Sequence, residues 1–205
     1  MSSEGIAKRS RDEKKVTGTN QDDASERRSV QAKGRRGMGR GVKSLLVAVS
    51  IPLILGILDA MINRPDDWYK DLRKPSWNPP AWLLSTVWCV IYPVMGLASW
   101  LVWADGGIRK NPYPLTLFMT QLVLSLLWPI FFFGLHMPAL ALLDICLLLV
   151  TLFLCYNAFH PVNHVASDLL IPYVAWILFA SALNFSIWNL NHSDWNLGTR
   201  YHVKN

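Results

Sequence analysis

Five long apolar runs separated by polar joints constrain this chain more than any other feature: residues 42–62, 81–103, 115–133, 138–159 and 168–190. A helix of about 20 apolar residues crosses the roughly 30 Å hydrocarbon layer of a bilayer. Inside that layer every backbone N–H and C=O must be paired within the protein, which leaves helices or closed β-barrels. Barrel strands alternate polar and apolar side chains, and a stretch such as LLDICLLLVTLFL does not. The expected fold is therefore all-α and integral to the membrane: a bundle of five transmembrane helices at residues 42–191. Pro52, Pro93, Pro129 and Pro172 fall inside the runs, where each is expected to kink or loosen a turn. The joints near residues 134–137 and 160–167 are short, which makes consecutive helices antiparallel neighbours.

Charge divides the chain unevenly. Of its 20 Lys and Arg, 12 lie between Met1 and Lys43, against 6 acids there; the remainder carries 8 of each. The basic balance thus belongs to an N-terminal extension, residues 1–41, whose polar and nearly aromatic-free composition predicts disorder. No nucleic-acid partner is expected from it. A short polar tail, 192–205, closes the chain. The first apolar run is expected to target and anchor the protein uncleaved. Basic residues near the helix ends place the N-terminus in the cytosol. Cys89, Cys146 and Cys155 all sit in apolar runs, without zinc-type spacing, and are expected to be buried, inert thiols.

The ten tryptophans are the first chemical signal. Trp100, Trp103, Trp188 and Trp195 stand near span ends, where indoles favour the interface. Trp88, Trp128 and Trp176 stand inside their spans, where an indole N–H needs a partner from another helix or a ligand. They are expected to face the bundle interior, either as a filled aromatic core or as the wall of a cavity. Leu84, Val87 and Trp88 share one face of the second helix, and Trp176, Ala180, Leu183 and Asn184 one face of the fifth. Small Ala180 beneath Trp176 leaves room beside the indole. Asp144, an acid deep in the fourth span, must face inward, as a proton or ligand contact or as a structural hydrogen-bond acceptor. His136, His160 and His164 are weighed as axial haem ligands against solvated imidazoles. The residues offer no nucleophile–base pair and no metal cluster.

The first loop carries the most specific pattern. It reads Trp68-Tyr69-Lys70-Asp71-Leu72-Arg73-Lys74-Pro75-Ser76-Trp77-Asn78-Pro79-Pro80-Ala81-Trp82. Trp88, Tyr92, Met95-Gly96, Gln121, Trp128-Pro129, Phe132-Phe133-Gly134 and Asp144 follow, then Pro172-Tyr173, Trp176, Phe179-Ala180 and Leu183-Asn184. In content, order and spacing this closely resembles the TspO/MBR family (tryptophan-rich sensory protein, translocator protein, peripheral-type benzodiazepine receptor). The long charged extension is similar to that of its plant members.

The resemblance implies a membrane receptor or transport protein, often a homodimer. It would bind porphyrins (haem, protoporphyrin IX) and other flat apolar ligands, lipid or sterol among them, in a pocket between the helices with the first loop as a lid. No obligatory cofactor is implied. Carried over by position, the ligand-binding residues are Leu58 and Met61 on the first helix; Trp82, Leu84, Ser85, Val87 and Trp88 on the second; Trp128 on the third; Leu140 and Asp144 on the fourth; and Trp176, Ala180, Leu183 and Asn184 on the fifth. Leu140 replaces a tryptophan of vertebrate relatives, and the sterol-recognition pattern at the end of the fifth helix is missing. Residues 197–204 fit its loose formula instead. Tetrapyrrole scavenging or transport under stress is the expected role. The alternatives are porphyrin breakdown, which would have to run through indoles with light or oxygen, and a stress-regulated adaptor whose tail recruits partners, Arg27-Arg28-Ser29 resembling a kinase site. Endoplasmic reticulum and Golgi membranes are the expected location, mitochondrial or plastid membranes the second.

Overall fold

A computed structural model describes residues 41–196. Residues 1–40, for which disorder was the expectation, the Arg27-Arg28-Ser29 site and the pattern at residues 197–204 lie outside the described residues.

Among the described residues all regular structure is helical, and five helices are long and apolar enough to cross a membrane. The chain is a multi-pass membrane protein. Helix α1 (Gly41–Ile62) ends where Pro65 disfavours helical backbone at the residue before it. Asn63 closes its last turn, donating its backbone N–H to the Asp59 carbonyl and Nδ2 to the Asp59 carboxylate (2.6 Å). The first loop contains a short helix, α2 (Asp67–Asp71), capped by the Asp66 side chain. Pro79 and Pro80 then hold the backbone extended until α3 (Ala81–Ala104) begins. A single turn, α4 (Gly107–Lys110), precedes α5 (Pro112–Pro129).

Pro112 opens α5 at its first turn, where a missing N–H is harmless. The third crossing therefore begins earlier than the apolar run suggests. Its other end departs further from expectation: after Pro129 the helix widens into a π-helical turn, Ile130–Gly134, closed by Leu135 N–H donating to the Ile130 carbonyl (2.8 Å). Such turns occur mostly as single bulges in helices, often at functional sites. Here it brings consecutive Phe132 and Phe133 toward one interior. Helix α6 (Pro138–Phe159) matches its run. The fifth crossing does not start as one piece: Asn163 caps a short α7 (His164–Asp168), accepting from Ala166 N–H at 3.0 Å, and α8 (Ile171–Asn196) follows. Pro172 lies in the first turn of α8, where no i−4 bond is lost, so it kinks nothing.

Helix α6 packs along both α5 and α8. The main core gathers Tyr92 and Met95 of α3, Phe118 and Leu122 of α5, Leu148 and Leu152 of α6, and Tyr173 and Ile177 of α8. A smaller cluster (Leu72, Phe132, Ala141, Leu183, Ile187) ties the first loop to the ends of the last three crossings. Helix α1 is the least covered of the five. It meets α3 at two glycines. A Cβ at Gly96 would collide with the Ala48 carbonyl, and one at Gly56 with the Tyr92 ring.

The cysteines depart from expectation. Cys155 is buried, but Cys89 and Cys146 are exposed. An apolar run says that a thiol lies in the bilayer, not which side of its helix meets lipid.

Candidate functional site

The indoles inside the spans converge. Trp88 of α3, Trp128 of α5 and Trp176 of α8 all line a cavity of about 570 Å³. Between them lie Leu84, Ala180, Leu183 and Ile187, with Phe132 and Phe133 of the π-helical turn. Ligand sites of drug-sized molecules occupy about 300–1,000 Å³ and are mostly apolar with few placed polar groups. This wall has that character.

The three indole N–H groups are handled differently. Trp128 Nε1 donates to Asn184 Oδ1 at 3.0 Å, while Asn184 Nδ2 donates to the Pro138 carbonyl at 2.9 Å. One buried amide thus joins α5, α6 and α8 and fixes the Trp128 ring, which also stacks on Phe132 (5.1 Å). Trp88 is oriented by rings, tilted on Tyr92 (5.4 Å) and edge-on to Tyr173 (6.2 Å). Trp176 leans on Phe179 (5.4 Å), but its Nε1 is buried without a hydrogen-bond partner. An unmet donor on an apolar cavity wall is what a ligand acceptor would satisfy.

Asn184→Ala leaves the Trp128 indole without its acceptor. Interhelical hydrogen bonds in membranes contribute about 0.6–2 kcal/mol. The variant should unfold a few degrees lower in detergent, and its Trp128 emission should shift; an unchanged melting curve would show that the bridge holds nothing.

One end of the cavity is covered by the first loop. Asn63, Arg64, Pro65 and Tyr69 line it there. The loop is fastened twice. At the joint of residues 134–137, Trp68 stacks on His136 (4.3 Å, 19° between planes), and His136 Nε2 meets Asp66 Oδ2 at 3.0 Å. His136 adopts the left-handed backbone (φ 55°) that this sharp joint requires. At α8, the Asn191 side chain accepts from Arg73 N–H (3.0 Å) and donates to the Arg73 carbonyl (2.9 Å), in the manner of a strand partner. Lys74 lies over the Tyr69 ring, 4.5 Å from its centroid. Partial burial lowers the Lys74 ammonium and raises the Tyr69 phenol from their ordinary ranges.

Of the residues assigned from sequence, Met61, Trp82, Leu84, Ser85, Trp88, Trp128, Trp176, Ala180, Leu183 and Asn184 line the cavity. Four do not. Leu58 is half exposed on the outer face of α1, because Leu53, Gly56, Ile57 and Ala60 form the inner one. Val87 packs into the main core, behind the wall. Leu140 stands near the start of α6, off the wall, and only Ile145 of that helix reaches the cavity. Asp144 is buried beside Ile145 but off the cavity wall, with Oδ2 unpartnered. Sequence reasoning missed Asp59, Arg64, Tyr69, Cys89, Tyr92, Phe132 and Phe133. Gly56, Asp59 and Asn63, spaced i, i+3 and i+7 on α1, were the available signal for its inner face. His160 and His164 contact one another (3.1 Å) at the α6–α7 joint, away from the cavity.

A profile described as the TspO/MBR family matches residues 48–189. The chain is 41% identical over 135 residues to the human translocator protein, covering 65% of this chain and 79% of that one. It is 34% identical over 193 residues to the translocator protein homolog of Arabidopsis thaliana, covering 91% and 98%. Identity to the tryptophan-rich protein TspO of Archaeoglobus fulgidus is 43% over 154 residues, covering 73% and 98%.

Proposed function

The chain belongs to the TspO/MBR family, and from that membership we propose that it is a membrane receptor or carrier for planar apolar ligands, porphyrins foremost, held between the five crossings. The observation that carries this reading is the unpartnered Trp176 Nε1 on the wall of a 570 Å³ aromatic cavity. A core packed for stability alone would fill that volume, since protein interiors leave few voids larger than a water molecule. Protoporphyrin IX or haem offers a flat ring to stack on indoles and ring nitrogens and carboxylates to meet a few polar groups. Lipid or sterol is the second ligand class for the same apolar wall. The role that follows is tetrapyrrole capture and transport under stress. Endoplasmic reticulum and Golgi placement belongs to the same reading.

Protoporphyrin IX titrated into the purified protein in phosphatidylcholine nanodiscs should quench tryptophan emission saturably, with one site per chain. Ala180→Thr places a branched, polar side chain beside Trp176 and should weaken binding about fivefold, the effect of roughly 1 kcal/mol. Quenching that rises linearly, without saturation and equally in the variant, would reduce the interaction to partitioning into lipid.

A further inference from the structure

Helices α1 and α3 meet differently at their two glycines. At Gly96 their backbones touch, the Ala48 carbonyl and Val49 Cα filling the place of a Cβ. Two turns further along α1, at Gly56, the Tyr92 ring fills the interval instead. Beyond that, residues of both helices border the cavity. Ile57, Ala60 and Met61 on α1 face Trp82, Ser85 and Cys89 on α3, and every one of these both lines the cavity and is exposed on the flank of the bundle. Trp82 is 67% exposed. The opposite walls, made by α5, α6 and α8, are closed by the core, and the loop over the end is fastened at His136 and Asn191. The exposed residues of the cavity wall thus gather on the α1–α3 flank and under the first loop.

The charges along this flank are ordered. Arg64, exposed on the rim, is the cation of the cavity wall. The neighbouring lysines are engaged: Lys70 with Asp67 at 2.8 Å, and Lys74 with the Lys70 and Leu72 carbonyls. Asp59, more than a turn deeper on α1, also lines the cavity, its carboxylate held by Asn63. An anionic edge is thus drawn to the rim by Arg64, while Asp59 offers it no counter-charge further in. An apolar face can go further in, between Trp88 and Trp176.

We propose that the cavity is entered from the bilayer between α1 and α3, and that it selects planar amphiphiles whose acidic edge pairs with Arg64 while the apolar body inserts. The proposal rests on the binding reading above and adds to it the ligand's charge, orientation and route. Arginine suits the edge role because its guanidinium forms paired hydrogen bonds with a carboxylate.

Two measurements on the full chain in phosphatidylcholine nanodiscs test this. Protoporphyrin IX is compared with its uncharged dimethyl ester, in the native protein and in Arg64→Gln. The substitution should weaken the diacid about tenfold and leave the ester within twofold. Equal losses for both, or for neither, would overturn the role of Arg64. Alkylation tests the mouth of this route, with exposed Cys146 as internal reference. A lipid-soluble maleimide should label Cys89 and Cys146, a charged impermeant one neither, and bound protoporphyrin IX should slow labelling of Cys89 alone by about tenfold. Fast labelling of Cys89 by the charged reagent would show that the mouth opens to water, and no protection that it is not used. Native protein that binds neither porphyrin would instead overturn the binding reading itself.

Discussion

Gly96→Leu is expected to detach α1 from the bundle. The atoms that occupy the place of a side chain at Gly96 belong to the α1 backbone, the Ala48 carbonyl and Val49 Cα, and neither can rotate away. Only separation of the two helices relieves the clash. Overpacking commonly destabilises by about 1–3 kcal/mol even where flexible side chains can adjust, and this contact lies above that range. The loss is amplified because α1 has little else to hold it, most of its apolar surface facing outward. Small residues that let helix backbones touch are a usual means of association in lipid, where water drives no helix pairing. Gly56→Ala is the matched comparison. Its new methyl meets the Tyr92 ring, which can tilt. Thermal unfolding in detergent should show Gly96→Leu losing ten degrees or more, with cleavage of the 63–80 loop by added protease; Gly56→Ala should lose a few degrees. Similar melting for Gly96→Leu and the native protein would mean that α1 does not contact α3 in this way.

The second large effect is on binding. Ala180→Phe projects a ring into the volume between Trp176 and the α3 wall. The protein should fold, because filling a void does not remove the contacts that build the core. Affinity for protoporphyrin IX should fall by at least about 100-fold, corresponding to roughly 3 kcal/mol of overlap with a ligand that cannot compress. The two variants separate the helix packing from the vacancy it encloses: one should lose stability, the other occupancy. Retention of tight binding by Ala180→Phe would place the ligand elsewhere.

How much of this was legible before the structure varies by physical cause. The five crossings were, since a predominantly apolar run as long as the bilayer is thick has few alternatives. Their ends were less so. Pro112 extends α5 backward from its first helical turn, and Asn163 starts a separate short helix ahead of α8; both are local capping effects that an average over apolar residues smooths away. Trp88, Trp128 and Trp176 could be placed inward because an indole N–H has nowhere else to go in hydrocarbon. The inner face of α1 was misjudged by one position. Leu58 and Met61 share a helical face, but the close-packed side follows Gly56 and the polar side chains of Asp59 and Asn63. The widened turn at Ile130–Gly134 was not readable at all, because nothing in IFFFG distinguishes it from an ordinary helical turn; the need to bury Phe132 against Trp128 while Phe133 meets Tyr69 is tertiary. Asp144 was correctly expected to face inward, but whether it would reach the cavity depended on about 100° of rotation about α6.

A bound ligand is expected to occupy the space in front of the unpartnered Trp176 indole. The most direct measurement follows the indole ¹⁵N–¹H resonances of the detergent-solubilised protein as protoporphyrin IX is added, with the Trp176 signal identified by its loss in Trp176→Phe. At saturation the Trp176 and Trp88 signals should have moved, while that of Trp103, exposed at the far end of α3, stays in place. A Trp176 signal that remains fixed through saturable binding would contradict the account.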